Sequence, residues 1–164
     1  MVDIVGPQQA ILITSRAEIE ELGKKIEKDE IDTTCWHMPV SMNEHLYAIA
    51  IHNSKNINKI IQKSKIFVIN FLGFDMEHKF IMCDKLHGQH INKFNKLELI
   101  KINAEHVESF YIKEACAILE CEVQNMLEFA DYTVYIAKSI NSKGFYDIKR
   151  LFHLKKDIFT TTKT

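Results

Sequence analysis

Short β-branched runs dominate the apolar pattern of this chain. Ala10 to Thr14, Ile31 to Trp36, Leu46 to Ile51 and Ile66 to Phe71 each have about the ordinary length of a strand. Two later runs alternate. In Ala117 to Gln124, the residues Ala117, Leu119, Cys121 and Val123 share one face, while Glu120, Glu122 and Gln124 take the other along with Ile118, so one face is expected to be wet. In Tyr132 to Ile140, Tyr132, Val134, Ile136 and Ile140 point one way and Thr133, Tyr135, Ala137 and Ser139 the other. Between Leu46 and Ile51 the large Tyr47, Ile49 and Ile51 alternate with Ala48 and Ala50, which leaves one face flat enough for a ligand or a second sheet to approach closely.

Helical signals are shorter. Ile57, Ile60 and Ile61 form an i, i+3, i+4 stripe about two turns long, with Ser54 or Asn56 placed to cap it. Met76 to Lys85 and Ile91 to Phe94 read as further short helices. Ser15 to Glu30 fits two descriptions: a helix opened by Ser15-Arg16-Ala17-Glu18, or a long hairpin with its tip at Gly23-Lys24-Lys25. Strand signals on both sides favour the hairpin. Six strands with a few short helices predict a mainly β fold, a small antiparallel barrel with helices at its rim.

At 164 residues the chain is about one domain long, enough to bury about 70% of its extended surface, and no linker or repeat divides residues 1–164. With 21 Lys and Arg against 22 Asp and Glu, no basic excess draws a phosphate backbone, so nucleic acid is not an expected partner. No run of eighteen apolar residues suggests a membrane span. Met1 to Ala10 lacks the charged and apolar segments of a secretory signal, and Cys35, Cys83, Cys116 and Cys121 have no paired spacing. A cytoplasmic protein with free thiols is the expectation.

Two stretches could hold a ligand. Thr33-Thr34-Cys35-Trp36-His37-Met38-Pro39-Val40-Ser41 ends a strand and turns at a proline. Its backbone groups could bond the edge of a flat polar ring, with Trp36 and Met38 against its faces; equally, Trp36 could be a core anchor. Asn53-Ser54-Lys55-Asn56 precedes the isoleucine-striped helix, where free N–H groups, a hydroxyl and an ammonium could receive a phosphate, or simply start a helix. Cys83, His87 and His90 fall at i, i+4 and i+7, but Gly88 interrupts that helix and spacing implies no fourth ligand, so no metal site is assigned. A Cys83–His87 nucleophilic pair lacks an orienting group. Glycine-rich phosphate loops are absent.

Taken in order, Thr-x-x-Trp-His-x-Pro-Val-Ser, Leu46-Tyr47-Ala48-Ile49-Ala50-Ile51, Asn53-Ser54-Lys55, the amphipathic helix and Phe67-Val68-Ile69-Asn70-Phe71 resemble the flavin reductase-like family, the flavoredoxin-type FMN-binding split barrels. Met82-Cys83-Asp84, His87-Gly88-Gln89 and Asn92-Lys93-Phe94 look like the family's Cys-Gly…Ser-Gly-Arg-x-x-Asp-Lys-Phe stretch. Leu119-Glu120-Cys121-Glu122-Val123 is similar to its Leu-Glu-Cys-x-Val strand, and Arg150 to Leu154 with Phe159 to Thr161 to archaeal endings. The chain departs from the pattern at Ile57, where many relatives have Thr or Ser, at Ala130-Asp131-Tyr132 in place of Gly-Asp-His, and at Ala137 in place of Gly.

The resemblance implies a six-stranded, Greek-key antiparallel split barrel with short peripheral helices. It also implies a homodimer that binds FMN non-covalently near the subunit interface and moves electrons between a small-molecule or protein donor, such as NAD(P)H, and an acceptor. Thr34, Cys35, Trp36, His37, Met38, Pro39, Val40 and Ser41 would line the isoalloxazine. Asn53, Ser54 and Lys55 would hold the phosphate, and Asn70 and Phe71 would lie beside the cofactor. His37 is the one side chain nominated for proton transfer near the ring, and it could equally pack against the loop. A non-enzymatic FMN electron carrier and a metal-binding module are the alternatives.

Overall fold

The structure is a computed structural model that describes residues 6–86, 91–144 and 147–163. Its elements are β1 (Gln8–Gln9), β2 (Ile11–Glu21), β3 (Lys24–Thr34), β4 (His37–Ser41), β5 (Leu46–His52), α1 (Ile57–Ser64) and β6 (Ile66–Phe71). After a 3₁₀ turn at Phe74–Met76 come α2 (Glu77–Lys85), α3 (Lys93–Leu97), β7 (Lys101–Asn103), β8 (Phe110–Ile112), β9 (Ala117–Glu128), β10 (Tyr132–Gly144), β11 (Leu151–Lys155) and β12 (Ile158–Thr161). Among the described residues no helix is long and apolar enough to cross a membrane.

Ser15 to Glu30 is the hairpin, not the helix. β2 and β3 pair antiparallel from Ile11↔Thr34 to Glu21↔Lys24, and the chain reverses through Leu22 (φ 52°) and Gly23 (φ 74°). Two successive positive φ values make the tight turn whose twist matches the flanking strands, and glycine takes that conformation without a Cβ penalty.

The main sheet has seven strands in the order β3-β2-β6-β9-β10-β5-β4, one more than the expected six, with every pair antiparallel. The additional strand is β4, because the stretch expected to be a loop around Pro39 pairs with β5. A proline is tolerated there since β4 is an edge strand and pairs on one side only. β3 and β4 lie at opposite ends of this order yet are joined by Cys35-Trp36 alone, so the sheet must curl until its ends meet. The seam is made by the Ala50 N–H donating to the Trp36 carbonyl at 2.8 Å and the Thr34 hydroxyl donating to the Ala50 carbonyl at 2.8 Å.

Ala10 to Ile13 is apolar at every position because β2 is covered on both sides. Ile11 and Ile13 enter the barrel interior with Ile49, Ile51, Phe67, Ile69 and Tyr135, under Ile57 and Ile61 of α1. Ala10 and Leu12 join a second core with Phe80 and Cys83 of α2, Phe94 and Leu97 of α3, Phe110 and Ile112 of β8, and Leu151 of β11. Neither Ser54 nor Asn56 caps α1 with its side chain. Asn58 ties the helix start down instead, donating to the His52 carbonyl at 2.8 Å and accepting from the Tyr135 hydroxyl at 2.8 Å. The expected helix at Ile91 to Phe94 begins two residues later, at Lys93, with Asn92 as its cap accepting from the Asn95 N–H.

Glu120 departs from the expected wet face: it is fully buried. Its carboxylate accepts the backbone N–H groups of Glu105 (3.1 Å) and His106 (2.7 Å) and the Asn141 amide (3.1 Å). Burial pushes this carboxyl up, but Asn141 and the two backbone donors outweigh it and hold the group below the usual range.

Candidate functional site

The barrel seam opens onto a groove of about 580 Å³, a size suited to a cofactor. Thr34, Cys35 and Trp36 come to it from the β3–β4 corner, Ala50 and His52 from β5, and Tyr132 from the start of β10. α2 supplies Phe80, Ile81 and Asp84, and the β11–β12 hairpin supplies His153 and Phe159. The Thr34 hydroxyl builds the corner, donating to Ala50 and accepting the Trp36 N–H at 3.1 Å. Trp36 stacks on Tyr132 with centroids 4.5 Å apart and planes 25° from parallel, and Tyr132 meets His52 edge-on at 5.1 Å. The small Ala50 beside this aromatic wall is the flat approach anticipated from the Ala alternation.

His52 has an assigned orientation. Its Nδ1 accepts the Ser54 N–H at 3.2 Å and sits 2.8 Å from the Ser54 hydroxyl, which leaves the ring proton on Nε2. Lys55 lines the groove, as do Lys85 and Lys156. Lys55 Nζ donates to Asp32 Oδ1 and Asp84 Oδ1, each at 2.9 Å. Burial pulls its ammonium down, yet Asp32 and Asp84 together hold it above the ordinary lysine value. Asp32 also accepts from Lys93 Nζ at 3.0 Å and from the Thr33 N–H at 2.8 Å, so Lys55 rests on a buried ionic chain.

The expected ring-lining stretch divides. Thr34, Cys35 and Trp36 line the groove; from His37 onward the chain is strand β4, and its alternation sends side chains elsewhere. Met38 and Val40 are exposed on the outer face of the sheet. Pro39 and Ser41 line a separate cavity of about 530 Å³, together with Phe71. His37 does not line the groove, and both of its ring nitrogens are engaged: Nε2 donates to the Gln9 carbonyl at 2.9 Å and Nδ1 accepts from the Tyr47 hydroxyl at 2.7 Å. Burial lowers its pKa against the raising effect of Gln9, so the ring is held neutral.

Of the expected phosphate residues, Lys55 alone lines the groove. Asn53 donates to the Phe129 carbonyl at 2.9 Å and accepts from the Thr133 hydroxyl at 2.8 Å, tying β5 to the β9–β10 turn, while Ser54 serves His52. Asn70 is fully buried and lies in the core, not on the groove. It donates toward Leu12, Thr14 and Val68 and accepts the Ile112 N–H at 2.9 Å.

Burial, with Asp84 adding to it, pushes Cys35 up to about 12, so at neutral pH it is a thiol. Cys83 is fully buried and burial pushes it up to about 12 as well. His87 and His90 lie outside the described residues. Among the described residues no His, Cys, Asp and Glu cluster could hold a metal.

Sequence reading missed Asp84, His52 and the β11–β12 hairpin as groove residues. Asp84 stands in the Met82-Cys83-Asp84 stretch of the family resemblance but at a position to which that pattern gave no site role, and His52 was hidden at the end of an apolar strand. The hairpin reaches the groove because β11 pairs with β1 (Gln8↔His153), a contact that local periodicity cannot show.

The family model for the flavin reductase like domain matches residues 7–156. A curated protein of Archaeoglobus fulgidus, described as uncharacterized, is 28% identical over 116 residues. That match covers 71% of this chain and 66% of the relative, just under two thirds of its length. Among solved structures, the NADH:FAD oxidoreductase SgcE6 of Streptomyces globisporus C-1027 is similar with a TM-score of 0.81 at 16% identity, covering 97% of this chain and 88% of that one. An FMN-binding protein from Thermus thermophilus with bound p-hydroxybenzaldehyde matches with a TM-score of 0.81 at 15% identity, covering 95% and 86%. At these identities the structural likeness extends to the fold, an antiparallel split barrel.

Proposed function

The chain belongs to the flavin reductase-like family, and from that premise we propose that it binds FMN non-covalently in the seam groove and passes electrons from a reduced donor to an acceptor. The observation that carries this reading is the convergence, in one groove, of an aromatic wall, a small-residue face and a cation. Trp36 and Tyr132 offer a flat surface, Ala50 leaves room beside it, and Lys55 lines the same groove. This donor set fits a planar ring bearing an anionic tail. Lys55 already holds a carboxylate at hydrogen-bond distance, which is the kind of partner a phosphate would be.

When bound, the flavin supplies the redox chemistry, and the protein's work is to hold, orient and shield it. Trp36 and Tyr132 support the ring through apolar contact. Lys55 holds the phosphate, and His52, with its Nε2 proton fixed by Ser54, can donate one hydrogen bond to a bound molecule. No protein acid or base is required for hydride transfer. Anaerobic addition of NADH or NADPH to the FMN-loaded protein is expected to bleach its yellow absorbance. Protein that stays yellow with both, but bleaches with a reduced ferredoxin-like partner, would instead be an electron carrier.

A homodimer is part of the same reading. On the outer face of the sheet, Met38, Ala48 and Ile136 lie in one cross-strand row and Ala50, Val134 and Leu127 in the next. Met38 is 61% exposed and Leu127 44%, so this apolar face lies open on the single chain. Ala50 belongs both to it and to the groove, which supports a reading in which the ligand site borders a second copy. Light scattering is expected to give twice the 19.1 kDa chain mass, and Met38→Lys to shift the particle toward the monomer. A wild-type particle of single-chain mass at every concentration would contradict the dimer.

A further inference from the structure

Lys55 holds two carboxylates that differ sharply in exposure. Asp32 is 2% exposed and is bound a second time by Lys93 Nζ at 3.0 Å and by the Thr33 N–H at 2.8 Å. Asp84 sits in α2, one residue from its end, with its side chain 57% exposed. Its Oδ1 accepts from Lys55 Nζ at 2.9 Å and from the Thr33 hydroxyl at 2.7 Å. Both Lys55 and Asp84 line the seam groove, so an anion entering there meets an ammonium whose outer position is already taken.

We propose that Asp84 is a built-in competitor for Lys55, displaced by the phosphate of the ligand, and that this exchange tempers the groove's hold on a phosphorylated flavin while leaving its hold on a neutral one untouched. The proposal rests on the flavin reading above and assigns within that site a residue that holds phosphate affinity down. A phosphate dianion carries more charge than a carboxylate and offers more acceptor oxygens, so it can replace Asp84 at Lys55 while Asp32 stays in place. Asp84 gives up its pair with Lys55 and the bond it accepts from the Thr33 hydroxyl, and water takes their place at its exposed carboxylate. A flavin without phosphate leaves the Lys55–Asp84 pair intact and gains nothing from the ammonium.

The test is a set of Kd values for FMN and for riboflavin. Asp84→Asn keeps the shape of the side chain and its contact with Thr33 but removes the competing charge. It is expected to tighten FMN by about three- to tenfold and to leave riboflavin within about twofold of wild type. In a Lys55→Met background the same substitution is expected to leave FMN affinity unchanged. Glu18→Gln is the control for bulk charge: Glu18 lies outside the groove lining and pairs with Lys25 at 3.0 Å in the β2–β3 hairpin, so removing its charge is expected to leave FMN within about twofold.

The exchange is overturned if Asp84→Asn leaves FMN unchanged or weaker, if riboflavin tightens in step, or if Glu18→Gln has an equal effect. Wild-type protein that binds neither flavin overturns the flavin reading itself and the exchange with it. Wild-type protein that binds both equally, with no response to Asp84→Asn, overturns the exchange alone.

Discussion

Replacing Lys93 with Met is expected to lower the stability of the fold by about 3–5 kcal/mol, because it removes one partner of a buried ionic group and leaves the others enclosed. Lys93 is 5% exposed, and its Nζ donates to the Ile31 carbonyl at 2.9 Å and to Asp32 Oδ2 at 3.0 Å. Glu30 Oε1 lies 3.8 Å away. Burial pushes the Glu30 carboxyl up against the lowering effect of Lys93, so loss of that cation strips it of its main stabiliser. Methionine fills a similar volume, which confines the loss to charge and hydrogen bonding. For a chain of this length the change corresponds to a fall in Tm of roughly 6–20 °C. Urea unfolding at neutral pH measures it. A loss below about 1 kcal/mol would mean that Lys55 alone satisfies Asp32 and that α3 contributes nothing to fixing Lys55.

That ionic chain marks where sequence reading stops. The strands of the barrel were legible because their signal is local: β-branched runs of strand length, and a Gly23 tip between two segments that alternate. The amphipathic stripe of α1 was legible for the same reason. Lys93, Asp32, Lys55 and Asp84 are spread across 62 positions of the chain and meet only when α3, β3, the α1 start and α2 close on one point. No periodicity encodes that meeting.

Asn70 makes the same case from the other side. It stands in an apolar run, and the family resemblance put it beside the cofactor, yet it joins β2 and β6 to β8 through the Ile112 N–H. A buried amide in a core run had two explanations, a ligand and a backbone donor from a distant hairpin, and only the folded chain separates them. Glu120 repeats the lesson: alternation assigned it to water, and the segment containing Glu105 and His106 covered it. At the candidate site, Trp36 and Lys55 were found early because their chemistry is conspicuous. Met38, Val40 and Ser41 lie off the groove because the proline-containing stretch, which reads as a loop, is an edge strand.

The decisive measurement uses Trp36, the chain's single tryptophan, as a reporter inside the groove. Its fluorescence is followed during titration with FMN in wild-type protein and in Ala50→Leu. The substitution fills the space beside the aromatic wall, while the seam bonds at residue 50 come from the backbone and remain available. The account predicts saturable quenching at one FMN per chain in the wild type and a loss of at least about 3 kcal/mol of binding, roughly a hundredfold, in the variant. FMN that binds both proteins equally, or that binds without touching the Trp36 signal, would place the cofactor elsewhere and contradict the seam groove as its site.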